Sequence, residues 1–411
     1  MTTATTAANT APTFAWRAAS RLLKHLTQGS LTLNYEQHNK VFGSLAGPGP
    51  HAEVTVLDAK VFRDLVTGGS MAAAETYMEG LWESPDLTSV IRLFSANIDS
   101  DPERVTWMSR PSQWFLNMAH WLNRNTIRGS HKNIQAHYDL GNDLFTSFLD
   151  PSMMYSAAIF PHADASLEEA QQFRLERICQ KLNLGPDNHL LEIGTGWGAL
   201  AIYAAKNFGC RVTTTTISAE QFAYTEAKIA EAGLTDRITL LCSDYRLLTG
   251  QYDRLVSIEM IEAVGHKYLS GYFNKISTLL SHDGLALIQS ITMNDQRYKS
   301  YKNSVDFIRK YIFPGGHLPS ISLINRHIAE QTDMTLSHFE DITSHYARTL
   351  NEWQVRFVEN FDQLPADKYD AQFFRMWRYY LSYCEGAFLE RAIGTSQIVF
   401  SKSKATVDWE F

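Results

Sequence analysis

Residues 189–203 read His-Leu-Leu-Glu-Ile-Gly-Thr-Gly-Trp-Gly-Ala-Leu-Ala-Ile-Tyr, an apolar strand that passes straight into three alternating glycines and then a helix-forming run. Gly194, Gly196 and Gly198 let the backbone adopt conformations closed to residues with a Cβ and approach a ligand closely, while the helix behind them offers unpaired N–H groups. A strand, turn and helix of this kind commit the chain to an α/β fold with a nucleotide cradle.

The acid at Glu192 narrows the ligand. It sits two places before the first glycine, where it can hold an amino or hydroxyl group and would disfavour pyrophosphate. A dinucleotide fold also wants an acid about twenty residues on for the ribose. Here the next strand, Cys210-Arg-Val-Thr-Thr-Thr-Thr-Ile217, ends in Thr216, Ile217 and Ser218, with only Glu220 nearby. A third strand, Ile238 to Cys242, delivers Ser243, Asp244 and Tyr245, a carboxylate for an exocyclic amine and a ring to lie beside adenine. These features favour S-adenosylmethionine over a dinucleotide.

With 411 residues the chain can bury a large core in two or three domains. Its net charge of −7 argues against a nucleic-acid binder that relies on a broad basic surface. The start shows neither basic leader nor apolar stretch, so the expected location is cytoplasmic. Cys179, Cys210, Cys242 and Cys384 form no Cys-x-x-Cys pair, and His317, His327, His338 and His345 form no ligand pair, so neither disulfides nor a metal site is expected.

Along the chain, residues 1–12 read as a disordered tail and 13–103 as a small, mostly helical domain with short strands around Lys40–Phe42 and Val54–Leu57. Residues 104–136 read as a helical connector. They hold no acid, gather Arg104, Arg110, Arg124, Arg128 and Lys132, and repeat tryptophan at 107, 114 and 121. Such a stripe either packs on the neighbouring domain or docks on anionic lipid. From 137 to 411, helices and strands alternate as a doubly wound sheet requires, with helical insertions after about Ser300 that suit a lid and a closing antiparallel strand at 395–401.

Several segments now converge on a family. They are Glu75-Thr-Tyr-Met-Glu-Gly-Leu-Trp-Glu83, His137-Tyr-Asp-Leu-Gly-Asn-Asp-Leu-Phe145, Phe148-Leu-Asp-Pro-Ser-Met-Met-Tyr-Ser156, the glycine turn, Thr216-Ile-Ser-Ala-Glu-Gln221, Asp244-Tyr-Arg246, Ser257-Ile-Glu-Met-Ile-Glu-Ala-Val-Gly265, Lys310-Tyr-Ile-Phe-Pro-Gly-Gly-His-Leu-Pro-Ser320 and Tyr346-Ala-Arg-Thr-Leu350. In these the chain resembles the cyclopropane-fatty-acid synthase family, in its long bacterial form with an N-terminal domain. The resemblance implies a Rossmann-like class I methyltransferase sheet and a homodimer, peripheral on the inner face of the membrane, that acts on unsaturated acyl chains of phospholipid. It implies that Tyr138, Tyr155 and Ser156 close over S-adenosylmethionine, that Gly194 and Gly196 approach its amino-acid part, that Thr216, Ser218 and Gln221 line the ribose, and that Asp244 meets the adenine.

The reaction implied is attack of a double bond on the sulfonium methyl, leaving a carbocation that aromatic faces stabilise and a base deprotonates. Phe307, Tyr311, Phe313, Tyr346, Trp353, Trp377, Tyr379 and Tyr380 are the pool of candidate rings. In the family a bound bicarbonate takes the proton, held by Glu, Tyr, His, a Cys-containing loop and neighbouring backbone. Glu262 and Tyr346 match, but the Cys position is Ala157 and the His position is Gln289. The backbone of Ala157 and Ile291, with the Gln289 amide, can still hold an anion more weakly, and Glu262 is the expected base. Its competing role is a helix cap or a pair with His266 or Lys267. Deprotonation at the added methyl closes a cyclopropane, and deprotonation at a chain carbon gives a methyl-branched or methylated olefin. The alternative activity is N-methylation of a small amine.

Overall fold

The computed structural model describes residues 14–98 and 140–406. The tail, the connector with its tryptophans, and Tyr138 lie outside the described residues. The chain forms two compact units, one holding residues 14–98 with Ala371–Tyr379 and the other residues 140–370 with 380–406.

The first unit carries a four-stranded sheet in the order β2-β1-β3-β4, with β1 at Ser30–Tyr35, β2 at His38–Gly43, β3 at His51–Val56 and β4 at Trp82–Glu83. β1 pairs antiparallel with β2 and parallel with β3. Strand β1 was not expected, although Ser-Leu-Thr-Leu-Asn-Tyr alternates as a half-buried strand does, with Leu31 and Leu33 buried. Residues Lys60–Met78 form one helical run with a break at Gly69, where φ 58 and ψ −137 leave the helical range. Ala371–Tyr379, the start of the helix Ala371–Leu389, clusters with this unit, whereas the sequence suggested an unbroken domain to 411. Arg375 pairs with Glu83 at 2.6 Å and Tyr379 lies against Tyr77 at 5.7 Å.

The second unit is built on a seven-stranded sheet in the order β10-β11-β9-β8-β5-β6-β7. Its strands are β5 (His189–Ile193), β6 (Arg211–Thr216), β7 (Ile238–Cys242), β8 (Tyr252–Ile258), β9 (Leu280–Met293), β10 (Thr335–Asp341) and β11 (Ile393–Ser401). The five strands β5 to β9 run parallel, and β11 is antiparallel to both β9 and β10, as the alternating last strand suggested. The order reverses at β5, which is where such sheets bind ligands beyond their carboxyl ends.

Local chemistry sets the helix starts that matter. Ser166 caps Leu167–Lys181 by accepting from the Glu169 N–H at 3.1 Å, with two acids in the first turn and Lys181 in the last. Ser218 caps Ala219–Glu231 in the same way. Two cores flank the sheet. Leu191 and Ile193 of β5 join Phe273, Ile276 and Ile324 on one side, and Leu190 joins Leu175, Ile178, Leu200 and Ala204 on the other. At roughly 25 cal/mol per Å² of apolar area removed from water, each such core outweighs any single polar contact. Among the described residues no helix is long and apolar enough to cross a membrane, and no cluster of metal-binding side chains occurs. All four cysteines are free thiols.

Candidate active site

The three turn glycines have φ of +100, +54 and +89 and play different parts. A Cβ at Gly194 would meet the Met260 side chain at 3.3 Å, and one at Gly198 would lie 2.6 Å from Thr225 Cγ2. At Gly196 a Cβ would meet no protein atom within 4 Å. Gly198 therefore lets the helix Ala219–Glu231 pack close, while Gly196 leaves open backbone in front of a helix N-terminus. That surface fits S-adenosylmethionine, whose polar amino-acid end can take hydrogen bonds from a bare turn.

The side chains expected around the cofactor are brought to this end of the sheet, several of them already bonded to protein. Glu192 is buried and accepts from Thr214 Oγ1 at 2.5 Å, and burial pushes its carboxyl up to about 8. Thr216 Oγ1 donates to Gln221 Oε1 at 2.8 Å and accepts from the Ser218 N–H, so these three residues lock the start of the helix that follows β6. Asp244 is gripped by Arg246, through its backbone N–H at 2.9 Å and its guanidinium at 2.6 Å. Tyr245 stands edge-on to Tyr272, and burial raises its hydroxyl to about 12.

On the other side of the turn, Tyr155 joins its hydroxyl to that of Tyr380 at 2.7 Å and lies near Trp353 and Phe145. Ser156 is buried, and its Oγ accepts from the buried Arg174 at 2.6 Å. Desolvation lowers the Arg174 pKa, opposed by Glu259, Asp150, Tyr346 and Glu192. Of the candidate rings, Tyr346, Trp353, Phe307, Tyr311, Phe313 and Tyr380 belong to the second unit, whereas Trp377 and Tyr379 belong to the first.

The five residues expected to hold an anion do come together, around two side chains. β8 ends at Ile258, and Glu259 turns the chain with a left-handed φ of 48, a conformation that costs a non-glycine residue about 1 kcal/mol. Its Oε1 accepts from the Ala157 N–H at 2.9 Å and from Gln289 Nε2 at 2.7 Å, and its Oε2 from the Tyr346 hydroxyl at 2.7 Å. Glu262 follows on a short 3₁₀ turn, and its Oε1 accepts from the Ile291 N–H at 2.6 Å. Its Oε2 is buried without a hydrogen-bond partner among the described residues. His266 and Lys267 do not take it up: His266 meets Tyr298 at 2.8 Å.

The electrostatics follow from crowding. Desolvation raises both carboxyls, against which the Ala157 N–H, Tyr346, Gln289 and Arg174 support ionised Glu259. Glu262 is pushed up to about 8, by desolvation first and by Glu259 second. Two close carboxyls with unequal donor sets separate into one that holds charge and one that holds a proton. Gln289 is itself fixed from behind. Its Oε1 accepts from Gln397 Nε2 at 2.9 Å, the Gln397 oxygen accepts from buried Lys181, and Lys181 also pairs with Glu340. The ladder crosses three strands in register, Gln289 opposite Gln397 and Gln397 opposite Glu340.

Glu259 is the residue that sequence reasoning passed over. Its signal was present: two acids three residues apart just past an apolar strand, of which only Glu262 was given a role.

A family model described as mycolic acid cyclopropane synthetase matches residues 125–398. A cyclopropane-fatty-acyl-phospholipid synthase of Escherichia coli strain K12 is 37% identical over 363 residues, 87% of this chain and 90% of its own. The tuberculostearic acid methyltransferase UfaA1 of Mycobacterium tuberculosis is 36% identical over 328 residues, covering 78% of this chain and 76% of that one. Among solved structures, the mycolic acid cyclopropane synthase CmaA1 complexed with SAH and CTAB superposes with a TM-score of 0.63 at 30% identity, over 66% of this chain and 98% of that chain. With the glycine turn, the reversal at β5 and the family match over most of its length, the chain belongs to the cyclopropane synthetase family of S-adenosylmethionine-dependent methyltransferases.

Proposed function

We propose that this protein transfers the methyl group of S-adenosylmethionine to the double bond of an unsaturated acyl chain in membrane phospholipid, working as a peripheral homodimer on the cytoplasmic face. The observation that carries this reading is the carboxyl pair Glu259 and Glu262 among aromatic rings, close behind the glycine turn: Met260, between them, is the side chain that a Cβ at Gly194 would touch. An alkene needs no deprotonation to attack, so the site needs a proton acceptor only after the methyl has moved. The relatives named above as phospholipid and fatty-acid enzymes support a lipid substrate.

When bound, S-adenosylmethionine supplies an electrophilic methyl on a positively charged sulfur. In this reading Gly194 and Gly196 admit its amino-acid end, with Glu192 and Thr214 bracing the turn from behind. Thr216, Ser218 and Gln221 shape the ribose side, Asp244 and Tyr245 the adenine side, and Tyr138 and Tyr155 cover it. Tyr346, Trp353 and Tyr380 present ring faces to a developing cation, and the carboxyl pair accepts the proton. Ring closure and a methylated olefin differ only in which C–H bond faces that acceptor.

The test is mass spectrometry of lipids from cells expressing the protein and fed methyl-deuterated methionine, with olefin-selective derivatisation. A lipid one carbon heavier is expected, either saturated with two labelled hydrogens or still an alkene with three. Transfer of label to a soluble amine, with none in lipid, would replace this reading by N-methylation.

A further inference from the structure

We infer that the Glu259 carboxylate is a built-in proton acceptor that occupies the anion site itself, so that turnover requires no bicarbonate. This rests on the acyl-methylation reading for the reaction it serves. The assignment of the anion site stands on geometry alone.

The donors decide the matter. An anion bound between residues 157, 289, 291 and 346 would need the Ala157 N–H, the Gln289 amide, the Tyr346 hydroxyl and the Ile291 N–H. Three of these four already converge on Glu259, at 2.9, 2.7 and 2.7 Å, and the fourth is on Glu262 at 2.6 Å. Each N–H or O–H hydrogen serves one strong acceptor at a time, so a second carbonate-like anion would find its donors spent, and would sit against two carboxyls. Gln289 has no more to offer, because its oxygen accepts from Gln397 and the second hydrogen of its amide nitrogen is directed at the Ala157 carbonyl 3.4 Å away. The left-handed backbone at Glu259 is held in spite of its cost, and it brings the carboxylate onto those donors.

The step balances without a further reactant. After the methyl carbon has bonded to one alkene carbon, the neighbouring carbon is electron-deficient. A Glu259 oxygen takes a proton either from the added methyl, whose C–H electron pair becomes the new C–C σ bond to the electron-deficient carbon and closes a ring, or from a chain carbon beside that centre, whose C–H pair becomes the π bond of an olefin. Glu259 becomes a neutral acid and the lipid is neutralised. The proton then leaves to water to reset the site.

The experiment compares wild type, Glu259→Gln and Glu259→Ala as full-length proteins, with thermal unfolding and S-adenosylmethionine titration to show that each variant is folded. Binding of ¹³C-bicarbonate is followed by NMR line broadening. Turnover is followed as labelled methyl in unsaturated phosphatidylglycerol vesicles, in buffer stripped of carbon dioxide and then with bicarbonate or formate restored. Wild type should show no bicarbonate binding and a rate that changes by less than about twofold on restoration. Both variants should lose about a hundredfold or more, the usual scale of a general base, and the alanine variant should bind bicarbonate and recover at least about tenfold with either small anion. Bicarbonate binding to wild type, a wild-type rate that depends on added bicarbonate, or full activity in Glu259→Gln would overturn the inference. If wild type methylates no lipid, the acyl reading fails while the binding contrast still decides the anion site.

Discussion

Replacing Tyr346 by Phe removes one hydroxyl from the carboxylate site and little else. The ring lies stacked on Phe388 at 4.5 Å, a contact that phenylalanine keeps. What is lost is the hydroxyl donating to Glu259 Oε2 at 2.7 Å, a hydrogen bond to a charged acceptor worth about 1.5–3 kcal/mol. That bond favours the ionised form of Glu259, so its loss raises the carboxyl further. Below the new pKa the active, ionised fraction falls about tenfold per unit, and above it the fraction recovers. The expected signature is a loss of kcat confined to the acid side of the pH profile, with the acid limb displaced upward and KM for the lipid unchanged. Rates of methyl transfer to phospholipid vesicles between pH 6 and 9 read it directly. An equal loss at every pH, or an unmoved acid limb, would show that the hydroxyl does not act through the Glu259 carboxylate.

The glycine turn separates stability from binding: Gly196→Ala should cost about 1 kcal/mol for its left-handed φ of 54, yet weaken S-adenosylmethionine at least about tenfold by calorimetry. Gly198→Ala adds a clash with Thr225 at 2.6 Å and should cost about 3 kcal/mol or more in urea denaturation, so equal stability of the two variants would refute the division of roles. Glu192, raised to about 8 when folded, releases its proton near 4.5 when unfolded. The unfolded state therefore binds fewer protons across that window, and stability falls as pH rises from about 4.5 to about 8, by on the order of 3–5 kcal/mol from this group. Glu192→Gln should flatten that slope in urea midpoints measured at pH 5.5 and 8, and an unchanged slope would mean the buried proton sits elsewhere.

The fold was legible where local chemistry is strong. Periodicity placed the central strands of the second unit, such as His189–Ile193 and Arg211–Thr216, because their runs of apolar or β-branched residues are buried in the sheet. Short strands were harder: the two-residue β4 owes its pairing to a neighbour that no local pattern reveals, and β1 shows its alternation over only six residues. The site divided in the same way. The glycine turn, Asp244 and Tyr346 could be found because motif and chemistry agree on them. Glu259 could not be ranked above Glu262, because what distinguishes them is which donors each captures, and those come from residues 157, 289 and 346. Nor did the sequence reveal that Ser156 and Asp244 each have a charged partner, Arg174 and Arg246.

The ladder from Lys181 through Gln397 to Gln289 has one end that can only donate. An ammonium group has no lone pair, so the Gln397 oxygen must face it, the Gln397 nitrogen must face Gln289, and the Gln289 nitrogen must face Glu259. Every amide dipole in the row is thereby aligned, and a positive charge two side chains away sets the polarity felt at Glu259. The antiparallel strands β10 and β11 at one edge of the sheet, which bear none of the cofactor's expected ligands, thus hold the links of a small fixed circuit whose terminal is Lys181 of the helix Leu167–Lys181. A slip of one residue in either strand would point its polar link to the opposite face of the sheet and leave the middle amide free to reverse.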